Sequence, residues 1–298
     1  MFETHLHNRK TRVCLALLIA AAAAFALLLS PAASASGTRT CPGDGTPAPG
    51  STIRGGLEIT GGNDGYCELH NVTVYGGIVV DPTPDAMLAQ FHWNAVNLIG
   101  STVSGGVVVG HNSEVDSNID FSTFSIIPQR STISGGLTWN TAPNGFVLNA
   151  TISGGVTVNG NGDLTPICGA QVDLCWLNHV FCNTTVTGNV SFSDINHNQD
   201  FLGDPEEDQL FTNGACPGNT IHGSLFLRNS NFTRPTDGEP TEFEGNTIDG
   251  SVHLDHSTLE LGGNTVGGSL LCTNGTVIHP PAPGDLTGNT VRGRDTCD

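Results

Sequence analysis

Oxygen-bearing side chains between residues 193 and 213 have a spacing that suits a calcium ion. They alternate along the chain as Asp194, Asn196, Asn198 and Asp200, and Asp204 follows. Calcium takes carboxylate and carbonyl oxygens, and helix–loop–helix calcium loops place them at alternate positions. Gln199 stands where such a loop has glycine, and Pro205 stands where it has a bidentate glutamate. The pattern therefore predicts either a calcium site or a solvated polar loop, and calcium is the only cofactor it suggests.

A second polar group combines histidines with carboxylates later in the chain. Its members are His222, Asp249, His253, Asp255 and His256. A histidine beside a carboxylate can transfer protons, and two or three histidines can hold a metal ion. The plainer interpretation is that these residues fill outward strand positions, which need polar side chains. If their strands are neighbours, His222 and Asp249 lie about 5 Å apart.

The charge of the chain restricts its partners. The formal net charge is −18, and no lysine follows Lys10. Proteins that bind nucleic acid or anionic membranes need clustered basic residues to contact phosphates. We therefore expect no nucleic-acid partner, and solubility outside the cell is the simplest reason for the acidity.

Residues 1–35 are typical of an export signal. The basic segment 7–12 precedes an apolar run at 13–29, and Ala33–Ala35 has the small residues of a cleavage site. The apolar run is short for a membrane span. We predict that the signal is removed, that the rest does not insert into a membrane, and that the protein is secreted or associated with the cell wall. Because the signal carries three basic residues and one acidic residue, its removal leaves a net charge of −20.

The cysteines after the signal support an oxidising compartment. They are Cys41, Cys67, Cys168, Cys175, Cys182, Cys216, Cys272 and Cys297. An even number is typical of disulfide pairing outside the cytosol. No two of them form a Cys-x-x-Cys motif, so a zinc cluster is the weaker explanation.

A short repeat runs through the rest of the chain. Ten aliphatic anchors each follow a threonine and precede a glycine by two positions: Ile53, Val74, Val103, Ile133, Ile152, Val186, Ile221, Ile248, Val266 and Val291. Apolar residues recur four and six positions after the anchor, and a period of two indicates a strand with one buried face. Small or polar residues such as Ser101 and Asn246 stand two positions before the anchor and can hydrogen-bond a bend. The glycine marks either a second bend or a close approach between repeats.

A further apolar position five residues before the anchor requires a corner between two strands. Leu69, Leu98 and Phe181 occupy it, and Cys216 falls at the same offset. The odd offset would point this residue outward in an unbroken strand. The shortest anchor spacings are 18 and 19 residues, which predicts coils of about that length with excursions on one side. We predict an all-β, right-handed parallel β-helix (β-solenoid) of about ten coils; a β-sandwich is the alternative.

The repeat resembles that of secreted right-handed parallel β-helix proteins of actinomycete-type bacteria. The closing units carry the resemblance, from Asn264 to Cys272 and from Asn289 to Gly293, and the likeness covers residues 41–298. It is also loosely similar to the polymer-forming bactofilins, which are cytosolic and lack cysteines. The resemblance implies an architecture and no particular activity. The predicted domains are the signal (1–35), a Pro/Gly-rich entry segment (36–50) and one β-solenoid (51–298).

The cysteines suggest how the two ends of the solenoid are closed. An exposed strand edge invites polymerisation unless it is blocked. A Cys41–Cys67 bond would tie the entry segment to the first coil, and a Cys272–Cys297 bond would close the last one. Cys182 and Cys216 lie at nearly equal offsets from their anchors and can pair between coils, which leaves Cys168 for Cys175.

These observations favour a non-catalytic surface, adhesion or matrix protein that presents loops for a glycan or a protein partner. Enzymes that cleave polysaccharides resemble this architecture, and hydrolysis of a sugar needs two carboxylates. Carboxylates are frequent at 204–208 and 237–244. The paired aspartates and basic residues of the pectin-degrading members are absent, and so is a serine–histidine motif. Ice binding is a third possibility, because Thr102 with Ser104 and Thr132 with Ser134 begin a short threonine–serine ladder.

Overall fold

The computed structural model describes residues 38–297 except 62–64, 85–92, 142–144, 161–176, 196–198, 204–213, 215, 234–239 and 282–284. The described part belongs to one unit, Thr38–Asp298. It contains strands and no helix.

In chain order the strands are β1 (Arg39–Pro42), β2 (Thr52–Arg54), β3 (Leu57–Thr60), β4 (Tyr66–His70), β5 (Thr73–Tyr75), β6 (Ile78–Val80), β7 (Ala95–Ile99), β8 (Thr102–Val103), β9 (Val107–Val109), β10 (Glu114–Ser117), β11 (Ile119–Asp120), β12 (Ser125–Ile126), β13 (Ser131–Ile133), β14 (Leu137–Asn140), β15 (Gly145–Leu148), β16 (Ala150–Ile152), β17 (Val156–Asn159), β18 (Leu177–Cys182), β19 (Thr185–Val186), β20 (Val190–Ser193), β21 (Gln199–Leu202), β22 (Thr220–Ile221), β23 (Leu225–Asn231), β24 (Glu242–Glu244), β25 (Thr247–Ile248), β26 (Val252–Gly262), β27 (Thr265–Val266), β28 (Leu270–Thr273), β29 (Val277–His279) and β30 (Thr290–Val291).

Three parallel sheets form the walls of a β-helix. Sheet A runs in the order β1-β3-β6-β9-β14-β17-β20-β23-β26, and β24, β28 and β29 pair with β26. Sheet B has the order β2-β5-β8-β13-β16-β19-β22-β25-β27-β30, and sheet C has the order β4-β7-β10-β15-β18-β21. The chain passes repeatedly from B to A to C, so the predicted parallel β-helix is confirmed. Strands β11 and β12 form an antiparallel hairpin beside it.

The repeat is in register along sheet B. Thr52 pairs with Thr73 at one end, Thr265 pairs with Thr290 at the other, and every intermediate coil continues the same columns. The anchors therefore stack on one another inside the helix, where Ile133 and Ile152 are fully buried. Residues that alternate in sequence become columns in space because neighbouring parallel strands keep the same phase.

The glycine after each anchor marks a close approach between coils. An added Cβ at Gly135 would contact the backbone nitrogen of Gly106 and lie 2.6 Å from the carbonyl carbon of Gly105. At Gly188 the nearest atom, the carbonyl carbon of Gly154, would be 2.8 Å away. Only some of these glycines have a positive φ, as at Gly76 (114°). The shared requirement is therefore the space between coils at the B-to-A corner.

Polar residues two positions before the anchor form a hydrogen-bonded ladder, which confirms their predicted role. The side-chain amide of Asn246 donates to the Leu202 carbonyl and to Asn264 Oδ1 (2.9 Å). Its own Oδ1 accepts from the Asn219 backbone N–H at 2.8 Å. In earlier coils Ser101 fills this rung and donates to the Leu69 carbonyl at 2.7 Å. The ladder satisfies buried backbone groups at the C-to-B corner.

Insertions enter the coils at the two corners that flank sheet C, whereas the corner between sheets B and A has no insertion in any described coil. Residues 81–94 lie between sheets A and C, whereas 118–130 and 203–219 lie between sheets C and B. The prediction that Cys216 occupies the apolar position equivalent to Phe181 is therefore wrong, because Leu202 is in register with Phe181. Counting back from the anchor fails there because the insertion follows the strand.

Disulfides fasten both ends, and their pairing agrees with the prediction. Cys41 is bonded to Cys67, so β1 joins sheet A beside β3, and the entry segment contributes a strand. Cys272 is bonded to Cys297. A third bond joins Cys182 to Cys216 across neighbouring coils. Cys168 and Cys175 lie outside the described residues.

The core is aromatic in its middle coils. Trp139 stands six positions after the anchor Ile133, where the repeat has a buried apolar residue, and it is fully buried in register with Val109 and Val158. Its ring meets Phe181 edge-on with centroids 5.5 Å apart. Phe181 contacts Phe192 in the same manner at 6.1 Å. These rings fill the interior of the middle coils, between coils whose buried residues are mostly aliphatic.

Candidate functional site

The predicted calcium loop is described only in part. Asp194 is a corner residue with φ of 58°, and its Oδ1 accepts a hydrogen bond from Asn229 Nδ2 at 3.3 Å. Asp200 belongs to β21. Asn196, Asn198 and Asp204 lie outside the described residues, so calcium binding here stays a prediction.

The histidine–carboxylate group separates into independent contacts. His222 Nδ1 and Asp249 Oδ2 are 2.7 Å apart across neighbouring coils of sheet B. His253 stacks on Phe226, with ring centroids 4.9 Å apart and an interplanar angle of 12°. Asp255 accepts hydrogen bonds from Asn274 and Thr273, and these lower the pKa of its carboxyl.

His256 Nδ1 is 3.4 Å from Asp255 Oδ1 at a corner of the chain. The structure therefore places the five residues on two faces and one corner. Among the described residues it does not bring three of them into one metal-binding group.

The outer face of sheet C carries a denser group of functional side chains, which we name the sheet C face. It comprises the outward residues of β4, β7, β10 and β15 and the adjoining hairpin β11–β12: Tyr66, Glu68, His70, Asn97, Glu114, Asp116, Asp120, Phe121 and Phe146. Alternation directs these residues outward because Leu69 and Leu98 of the same strands point into the core. Register places Glu68, Asn97 and Asp116 in one column.

Two carboxyl groups are buried side by side on this face. Glu114 and Asp116 stand two residues apart on β10, with exposed fractions of 4% and 0%, and their side chains are hydrogen-bonded to each other. Such a bond between two carboxyl groups requires a shared proton. Burial raises the pKa of Glu114 to about 7, although the Trp93 side chain also hydrogen-bonds it. Burial and the Glu114 charge raise the pKa of Asp116 well above its ordinary range.

Backbone groups hold the carboxyl pair in place. The Phe146 N–H donates to Asp116 Oδ1 at 3.0 Å. Beside the pair, the Asn97 amide donates to the Ile119 carbonyl at 2.8 Å, and the Tyr66 hydroxyl hydrogen-bonds Asn97. Burial raises the pKa of this hydroxyl, so it stays protonated. The group thus combines two carboxyl groups whose ionisation is opposed by burial with several fixed hydrogen-bonding groups.

Aromatic rings border the carboxyl pair, and two of them face solvent. Tyr66 is 39% exposed and Phe121 is 43% exposed. Their centroids are 6.5 Å apart at an interplanar angle of 73°, so the two rings meet edge to face. Phe121 and Phe124 of the hairpin segment meet Phe146 edge-on at 6.0 and 5.8 Å. These contacts fix the hairpin segment to sheet C.

The sequence carries a partial signal for this site. Glu114-Val115-Asp116 alternates polar and apolar residues as an outward carboxylate pair must, and Trp93 belongs to the insertion at residues 81–94. The signal was missed because β10 has no anchor at the usual offset: residues 118–130 separate it from Thr132. The burial of the Glu114 and Asp116 side chains arises from tertiary contacts.

A separate cluster of three carboxylates lies in the C-terminal coils of the β-helix. Glu244, Glu260 and Asp285 each offer an oxygen atom, and these atoms lie within 4.8 Å of one another. Glu244 and Glu260 are buried on β24 and β26, and the Leu286 N–H donates to Glu244 Oε2 at 3.4 Å. Oxygen ligands of this kind suit a hard cation such as calcium.

The threonine column of sheet B is continuous over its ten coils, but the neighbouring outward column is not. That column holds Ser104, Ser134 and Ser153 in the middle, while Tyr75 and Asp249 interrupt it towards the ends. A flat threonine–serine surface is therefore confined to a few central coils.

No protein-family model, curated protein or solved structure matches this chain. Within the described residues, no helix has the length and hydrophobicity to cross a bilayer.

Proposed function

We propose that this protein is a non-catalytic extracellular or cell-wall-associated β-helix that binds a glycan on the sheet C face. The exposed pair of rings, Tyr66 and Phe121, carries the proposal. Exposed aromatic rings on a soluble protein mark binding surfaces, and their apolar faces pack against the C–H groups of sugar rings. Glu68, which is half-exposed on the same strand as Tyr66, supplies a polar group for sugar hydroxyls in the same place.

The scaffold supports this role. Three disulfides and continuous parallel sheets hold the face rigid, and a rigid aromatic site loses little entropy when it binds a ligand. The disulfides are also typical of proteins that work in an oxidising compartment outside the cytosol.

The test is a glycan-array screen followed by affinity measurements on the best ligand, with and without calcium. We expect Tyr66→Ala and Phe121→Ala each to weaken binding at least about tenfold, which corresponds to about 1.4 kcal/mol. Tyr75→Ala is the matched control, because Tyr75 is 46% exposed and lies on sheet B beside Arg54. Absence of glycan binding, or an equal loss in the Tyr75 variant, would contradict the proposal.

Glycan cleavage is a second candidate, and the Glu114–Asp116 pair favours it. A carboxyl group with a pKa near neutrality is suited to general acid catalysis. The pair itself is too close to hold a water molecule between its members, as hydrolysis with two carboxylates requires. Glu68 lies two strands from Asp116, or about 10 Å along the sheet, and could supply the second carboxylate.

Release of reducing or unsaturated sugar ends distinguishes the two functions. Cleavage predicts release by the wild-type protein and its loss in both Glu114→Gln and Glu68→Gln. No release from any glycan that the protein binds would remove this candidate.

A further inference from the structure

The sheet C face is acidic, and its described part contains no arginine or lysine. Glu68 is half-exposed there, and the Nε2 atom of His70 lies 3.4 Å from Glu68 Oε1. Asp120 lies beside Phe121. The Ser122 hydroxyl and N–H both donate to Asp120 Oδ1, at 2.6 and 2.9 Å, and they lower the pKa of this carboxyl. Asp120 therefore stays anionic.

The arginines of the described residues lie elsewhere. They are Arg39 on β1, Arg54 on β2 against the Tyr75 ring, Arg130 on the carbonyls of Ala150 and Asn183, Arg228 on β23, and Arg292 and Arg294 after β30. None of these strands or partners belongs to the sheet C face. The net charge of the whole chain, −18, adds to the negative potential there.

We propose that the ligand of this face is a glycan that contains amino sugars with protonated amines. This inference rests on the proposed glycan binding and names its substrate class. An exposed ring face of the Tyr66–Phe121 pair takes the apolar face of a sugar ring, while Glu68 and Asp120 attract an ammonium group on the same or the next ring.

The electrostatic argument separates this ligand from other glycans. A uronic acid or a sulfated sugar would bring a negative charge beside two carboxylates without a compensating guanidinium group. Opposite charges about 4 Å apart in water attract by about 1 kcal/mol, and this attraction is screened over about 8 Å at physiological salt. Two such carboxylates therefore account for about tenfold tighter binding of a glycan with ammonium groups than of a neutral one. This difference in affinity must shrink as the salt concentration rises.

The experiment compares three oligosaccharides of equal length at about pH 6: a glucosamine hexamer, an N-acetylglucosamine hexamer and a galacturonic acid hexamer. We expect the glucosamine hexamer to bind about tenfold more tightly than the neutral one and the galacturonate hexamer to bind most weakly. Raising sodium chloride from about 0.05 M to about 0.5 M should remove most of the first difference.

Paired variants assign the effect to this face. Glu68→Gln with Asp120→Asn should reduce the preference for glucosamine over the neutral hexamer to about threefold or less. The amide oxygen of asparagine can still accept the Ser122 hydrogen bonds. Glu58→Gln with Asp255→Asn removes the same charge from sheet A and should keep the preference.

The outcomes distinguish the inference from the proposed function. If neutral or acidic hexamers bind as well as glucosamine does, and Tyr66→Ala still abolishes binding, the inference is overturned while glycan binding stands. If both double variants lose the preference equally, the attraction is a property of the whole chain and the inference is overturned. If none of the hexamers binds and the glycan array is also negative, the proposed function itself fails.

Discussion

The buried carboxyl pair predicts an unusual dependence of stability on pH. In the unfolded chain Glu114 ionises near its ordinary pKa of 4.5, whereas burial in the folded protein raises that pKa to about 7. Between these values the folded protein binds more protons than the unfolded chain. The free energy of unfolding therefore falls as pH rises through this range. The difference in pKa corresponds to about 3 kcal/mol, lost progressively from about pH 4.5 to about pH 7. Asp116 changes stability in the same direction.

Glu114→Gln isolates this contribution. Glutamine has nearly the same shape and can donate to Asp116, but it does not ionise. We expect the fall in unfolding free energy between pH 4.5 and 7.5 to shrink by about 3 kcal/mol in the variant. Urea denaturation with intact disulfides, repeated at several pH values, measures it. Glu68→Gln is the control, because Glu68 lies on the same face and is half-exposed.

Two results would refute this reasoning. The first is a wild-type unfolding free energy that stays constant or rises between pH 4.5 and 7.5. The second is a fall of the same size in the wild type and in Glu114→Gln, which would place the responsible groups elsewhere.

Three further changes test the architecture by urea denaturation. Gly135→Ala puts a methyl group against the backbone of the preceding coil and should cost about 2 kcal/mol or more, whereas the outward Ser134→Ala should cost less than about 0.5 kcal/mol; similar losses would contradict the close approach. Asn246→Ala removes a buried rung of the corner ladder and should cost about 3 kcal/mol, while Asn246→Ser should recover part of this; equal losses would show that the rung needs no polar group. Serine at both Cys41 and Cys67, which are 26 residues apart, should cost about 3 kcal/mol, and an unchanged midpoint would contradict the role of that bond.

The local pattern of the chain predicted the repeating part of the fold. Each Thr-aliphatic-x-Gly unit follows the same rules of alternation and turning, and equivalent units stack in phase because parallel pairing preserves register. The columns of sheet B and the burial of Trp139 follow from that periodicity, whereas Cys216, which is bonded to Cys182, lies in an insertion where the periodicity fails. Only the three cysteine pairs within the described residues test the disulfide prediction.

The candidate site depended on contacts that do not repeat. Alternation alone gives Glu114 and Asp116 an outward direction, and outward residues of a strand are ordinarily solvated. They are buried because they lie beneath an insertion-lined face where Trp93 and the Phe146 backbone contact them.

Glu244, Glu260 and Asp285 meet because β24 pairs with β26 and because Leu286, next to Asp285, hydrogen-bonds Glu244. The sequence determined the repeating walls because their pairing is local and periodic. Only the tertiary structure decided which outward carboxyl groups lose their water, because that depends on how each insertion folds back over the sheets.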